Sequence, residues 1–170
     1  MCIRDSLKYP CSSVEVNSAK GAPKETKKFG YFKADEQTFR EIRSRAGLPG
    51  TARHPLTYLM EAADDIGYSA SDIEDALKKR IIDFELIVSF LNAELPAGPN
   101  GRDLVDRHLV LRARELEKTV SISESRQLAY QHFRGIIVGI MSSSCVKAFV
   151  DHYDEILAGT FHGDLSLIHI

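Results

Sequence analysis

From Pro55 to about Arg80 the chain reads PLTYLMEAADDIGYSASDIEDALKKR, with apolar residues returning every three or four positions. At about 100° per residue, Leu59, Ala62, Ala63, Ile66, Ala70, Ile73 and Leu77 fall on one side of a helix. Glu61, Asp64, Tyr68, Asp72 and Asp75 fall on the opposite side. A run this long with helical rather than alternating periodicity commits the chain to helix packing. Pro55 suits a first turn. Residues 35–46 also predict a helix, with Phe39 and Ile42 on one side, and GLPG at 47–50 ends it. Residues 83–94 carry Phe84, Ile87, Val88 and Leu91, and LPAGPNG then breaks the chain. Residues 102–118 read as a helix with alternating charges, and a long helix is expected over 123–157. With no βαβ rhythm and no internal repeat, the expected fold class is all-α.

The 170 residues, 44% of them hydrophobic, suit one globular domain or a piece of one. A net charge of −2 leaves no polyanion footprint, so nucleic acid is not indicated. Lys20, Lys24, Lys27 and Lys28 gather in a segment rich in Ser, Gly and Pro, which reads as a solvated loop. No apolar run approaches the roughly 20 residues that span a bilayer, so no membrane role is expected. No signal peptide is visible. Cysteines at 2, 11 and 145 have no metal-ligand spacing and fit a reducing, cytoplasmic compartment.

The two ends stand apart. MCIRDS can be encoded by ATGTGTATAAGAGACAG plus one base, and the reverse complement of that DNA translates as LSLIHI, the C-terminus of this chain. Protein ends have no physical reason to encode each other's complement. The DNA resembles a transposon end used to build sequencing libraries. Residues 1–6 and 165–170 are therefore expected to be translated adapter, which leaves 7–164 as the native segment, cut at both ends.

Asp64, Tyr68 and Asp72 follow at i, i+4 and i+8, a single stripe that drifts by about 40° per step. A carboxylate offers a hard oxygen suited to Mg²⁺ or Mn²⁺. A tyrosine one turn on can lie against a sugar, and a second carboxylate can accept hydrogen bonds from its hydroxyls. The same spacing also fits a solvated acidic face. Asp65 and Glu74 are expected at the helix periphery.

RHPLTYLMEAADDIGYSASDIEDALKK closely resembles a helix of the deoxyguanosinetriphosphate triphosphohydrolases of the HD-domain superfamily. LKYP, KKFGYF and AFVDHYDEILAGTF resemble the same family in order, so the resemblance spans nearly all of 7–164. It implies part of an all-α, HD-domain-like helical bundle, commonly oligomeric, that hydrolyses a deoxynucleoside triphosphate to deoxynucleoside and tripolyphosphate. By position, Asp64 matches the last metal-ligand aspartate of an H…HD…D set, and Tyr68 the tyrosine against the deoxyribose. Asp72 matches the carboxylate near the 3′-hydroxyl. Lys8 matches a phosphate-binding lysine, Tyr9 the aromatic beside it, and Lys28 is a candidate second phosphate contact or a solvated lysine.

None of the six histidines is followed by aspartate, so the His-Asp pair and the catalytic histidine are expected upstream of this segment. His54, just before the acidic helix, reads as structural. One aspartate holds Mg²⁺ or Mn²⁺ poorly, so this piece is expected to be inactive. Two other readings stay open. One is a different HD-type nucleotide phosphohydrolase. The other is a non-catalytic helical module, for which Asp64 and Asp72 would point into solvent. The hydrolase reading expects a concave surface gathering Lys8, Tyr9, Asp64, Tyr68 and Asp72.

Overall fold

The computed structural model of the chain describes residues 8–17, 19–20, 26–50 and 52–165. Cys2, Leu7, Lys24 and both adapter-like ends lie outside the described residues, except for Leu165, which is buried. After a short 3₁₀ turn at Lys33–Asp35 come α1 (Glu36–Arg45), α2 (Pro55–Lys78) and α3 (Phe84–Glu94). Then follow α4 (Arg102–Val105), a π turn (Asp106–Val110), α5 (Leu111–Leu116), α6 (Ile122–Asp151) and α7 (Tyr153–Ala158). Among the described residues there is no strand, only one isolated parallel bridge between Ser12 and Tyr31. The fold is all-α, consistent with a partial HD-like bundle.

The chain divides into two compact units. One comprises Ala63–Ser144; the other holds the residues up to Ala62 together with those from Cys145 on. In the Ala63–Ser144 unit, Leu77, Phe84, Leu109, Tyr130 and Phe133 share one core. Truncating a buried ring such as Phe133 to alanine costs about 3–5 kcal/mol. The Tyr130 hydroxyl donates to the Ala70 carbonyl at 3.3 Å, and burial pushes that phenol up to about 12, so it remains a donor. Gly101 is required sterically, because a Cβ there would stand 2.0 Å from the Pro96 carbonyl oxygen.

In the other unit, Tyr31 stacks on Phe39 of α1 with ring centroids 4.0 Å apart. Arg43, buried on the same helix, donates to the Gly50 carbonyl at 2.7 Å and so fixes the loop that leaves it. The Tyr58 hydroxyl donates to the Phe161 carbonyl at 3.0 Å, and the two rings meet edge to face. Gly159 ends α7 with φ 73°, and a Cβ there would come within 2.5 Å of the Ala52 Cβ.

Six expectations change, the sixth at Glu61 in the site below. The helix expected over 123–157 is two, because His152 leaves helical geometry (φ −108°, ψ 17°) and α7 starts afresh. The helix expected over 102–118 contains the π turn. Ala63 and Ile73 of the apolar set are exposed, since the buried stripe through Ala62, Ile66 and Ala70 is narrower than the wheel suggested. Glu74 is buried rather than peripheral. It pairs with Lys78 and Arg134 and accepts from Gln131 at 2.9 Å. Lys78 is the chief cause holding that carboxyl below its ordinary value, with burial opposing and Gln131 and Arg134 assisting.

The fifth correction concerns α6, which is long and apolar enough to cross a membrane by length and composition alone. Its most apolar 18 residues have a mean hydropathy of 1.5, and only 11% of them are buried. Gly135, Gly139 and the serines at 142–144 hide this run from a reading that looks for large apolar residues. Val146 and Val150 are 57% and 64% exposed. Such a surface drives association. The chain is expected to bind a hydrophobic dye and to elute as concentration-dependent oligomers. Val146→Glu combined with Val150→Lys should reduce both effects. A wild-type chain that is monodisperse, with a sharp cooperative melt, would overturn this.

Candidate functional site

The buried faces of Ala62, Ile66 and Ala70 turn the opposite side of α2 outward. Asp64, Tyr68 and Asp72 stand there in one stripe, all exposed, Tyr68 to 69%. They belong to the Ala63–Ser144 unit, whereas Lys8, Tyr9 and Lys28 belong to the other. Among the described residues no three of His, Cys, Asp or Glu converge as a metal site. Asp64 alone does not make a site for Mg²⁺ or Mn²⁺, which want several oxygen ligands.

In the unit that holds the N-terminal segment, a basic cluster surrounds Tyr9. The Lys8 ammonium lies 5.5 Å from the ring centroid and that of Lys28 6.0 Å, both within cation–π reach. The structure thus brings Lys28 to Tyr9. Glu61 organises the rest. Expected on the exposed face, it is largely buried, because two cations meet it. Arg53 reaches its carboxylate at 2.7 Å and Lys8 at 3.2 Å. The Arg53 side chain is 3% exposed, and its Nε donates to the Lys8 carbonyl at 3.1 Å. Arg53 therefore holds both the backbone of the LKYP segment and the carboxylate that holds Lys8.

Burial pushes the Glu61 carboxyl up, but Arg53 and then Lys8 outweigh it and hold the group below its ordinary value. Burial likewise pulls the Lys8 ammonium down, and Glu61 more than reverses it. Lys8 stays charged at neutral pH, with donors to spare beyond the one given to Glu61. His54, read as structural, caps the helix. At the start of α2 its Nδ1 accepts from the Leu56 N–H at 3.2 Å, and its carbonyl accepts from the Thr57 N–H at 2.8 Å. Sequence reasoning passed over Arg53 and Glu61. The available signal was a cation just before a helix whose second turn carries an acid.

A deoxyguanosinetriphosphate triphosphohydrolase-like protein of Listeria monocytogenes is 34% identical over 165 residues, covering 94% of this chain and 32% of the relative. One from Pseudomonas aeruginosa is 35% identical over 164 residues, covering 94% of this chain and 33% of the relative. The chain is a partial member of the deoxyguanosinetriphosphate triphosphohydrolase family. The deoxyguanosinetriphosphate triphosphohydrolase of Yersinia pestis is 31% identical over 136 residues, 80% of this chain and 27% of that protein. The chain spans about a third of the length of the curated relatives it matches. No family model matches it.

Glu61 can be tested directly. Glu61→Ala leaves Arg53 buried without its carboxylate and should cost about 3–5 kcal/mol at neutral pH. Folded Glu61 titrates below its ordinary value of 4.5, so the unfolded chain takes up the proton first as pH falls. Its contribution is full above pH 4.5 and is lost as pH drops through the folded value. Thermal melts in acid should therefore show a steeper loss of stability for wild type than for Glu61→Gln. Equal slopes would remove Glu61 from this role.

Proposed function

We propose that the chain is the central part of a metal-dependent deoxynucleoside triphosphate triphosphohydrolase, with dGTP its typical substrate, and is inactive by itself. The observation that carries this reading is the match over 94% of the chain to relatives bearing that name. In the reaction, water oxygen bonds to the α-phosphorus, the bond to the 5′-oxygen breaks, and that oxygen takes the proton. The products are deoxynucleoside and tripolyphosphate.

The residues divide the work. Lys8, charged and steadied by Glu61, contacts phosphate oxygens and stabilises the charge that builds on them as water adds to phosphorus. Lys28 assists beside Tyr9. The exposed ring of Tyr68 lies against the deoxyribose and leaves little room for a 2′-hydroxyl, and Asp72 accepts from the 3′-hydroxyl. Asp64 offers one hard oxygen toward Mg²⁺ or Mn²⁺, a site that the described residues do not complete. The intact protein is a cytoplasmic homo-oligomer in this reading, and the uncovered apolar residues of α6 support the assembly.

Two measurements test the reading. With dGTP and Mn²⁺, the 170-residue chain should release no tripolyphosphate above a metal-only control; turnover would refute its inactivity. In the full-length parent, Asp64→Ala should abolish tripolyphosphate release, while Asp65→Ala, rotated by about 100° on α2, should be milder. If Asp65→Ala is the more damaging, the assigned register is wrong.

A further inference from the structure

Two histidines from separate helical segments meet within the Ala63–Ser144 unit. His108 lies in the π turn Asp106–Val110 and His132 on α6. His108 Nδ1 and His132 Nε2 are 3.4 Å apart, with ring centroids at 5.6 Å. His108 is half-buried and His132 exposed. Neither imidazole makes another hydrogen bond or ion pair among the described residues. Their chain neighbours Leu109 and Phe133 are fully buried, so the core anchors the backbone beneath both rings.

The separation is informative. At 3.4 Å an N–H···N contact is long for a hydrogen bond and contributes little. It is the spacing of two nitrogens on one tetrahedral ion: with metal–nitrogen bonds of about 2.0–2.1 Å, the donors stand roughly 3.3–3.4 Å apart. We propose that His108 and His132 form a two-imidazole site for a borderline divalent transition cation of the Zn²⁺, Ni²⁺ or Cu²⁺ class. Water completes the coordination. Imidazole nitrogen suits these ions and not Mg²⁺ or Ca²⁺, which take oxygen. No third His, Cys, Asp or Glu joins the pair among the described residues. No carboxylate or carbonyl steadies the far ring nitrogens either, so the site is an exchangeable clamp rather than a closed structural centre. Its effect is mechanical, since the ion ties the π turn to α6.

The test is a calorimetric titration of the tag-free chain with ZnCl₂ in excess MgCl₂, paired with thermal melts. Wild type should bind one Zn²⁺ and melt at a higher temperature with it. His132→Gln and His108→Gln should each weaken binding about tenfold or more. His162→Gln, outside the pair, should not. If His108→Gln does not fold, His132→Cys replaces it, and its thiolate should restore the binding lost in His132→Gln. The proposal is overturned by absence of binding, by competition from Mg²⁺, or by loss in only one histidine variant, which would mean single-histidine binding. Failure of His132→Cys to restore binding also overturns it.

Discussion

The ion pair between Glu61 and Arg53 is the fixed point of the unit that holds the N-terminal segment. A carboxylate this covered is tolerable only with cations against it, and an arginine exposed to 3% is tolerable only with its acid. Each residue justifies the burial of the other. From that pair the rest of the segment is placed: Arg53 takes the Lys8 carbonyl, Glu61 takes the Lys8 ammonium, and Tyr9 lies beneath that ammonium. Three separate places in the sequence, Lys8–Tyr9, Arg53 and Glu61, become one arrangement through a single buried charge pair.

The helical architecture was legible because its signal is local. The acidic stripe of Asp64, Tyr68 and Asp72 follows from spacing on a helix whose apolar face is unmistakable, and α2 carries all three outward. The ends of α1 and α3 follow from the GLPG and LPAGPNG breaks. The fates of Glu61 and Glu74 were not legible. A helical wheel gives an acid's angle but not whether a cation arrives to bury it. For Glu61 the cations come from Lys8 and Arg53, and for Glu74 one comes from Arg134, sixty residues on. Such coincidences belong to tertiary packing and leave no periodic trace.

The errors in α6 have a different origin. Its apolar residues surround the helix, so no amphipathic stripe marks which side should be covered. The stop at His152 carries no proline or glycine to announce it. Pattern reading works best where a helix has two unlike faces, and α2 has them while α6 does not. The roles of Asp64, Tyr68, Asp72, Lys8, Tyr9 and Lys28 come from resemblance rather than from spacing.

The π turn at Asp106–Val110 constrains how this segment can change over time. Val105, Leu109 and Ala113 are all buried at four-residue intervals, although an α-helix drifts by about 40° over each such interval. The wider turn absorbs that drift and keeps the three in register. Removing one residue here would restore an unbroken helix and rotate all that precedes it by about 100°, carrying Val105 out of the core. Asp106 and Arg107 are polar and exposed and look replaceable one by one. A substitution at Asp106 or Arg107 leaves that register alone and a single-residue deletion does not, so geometry holds chain length here more tightly than composition.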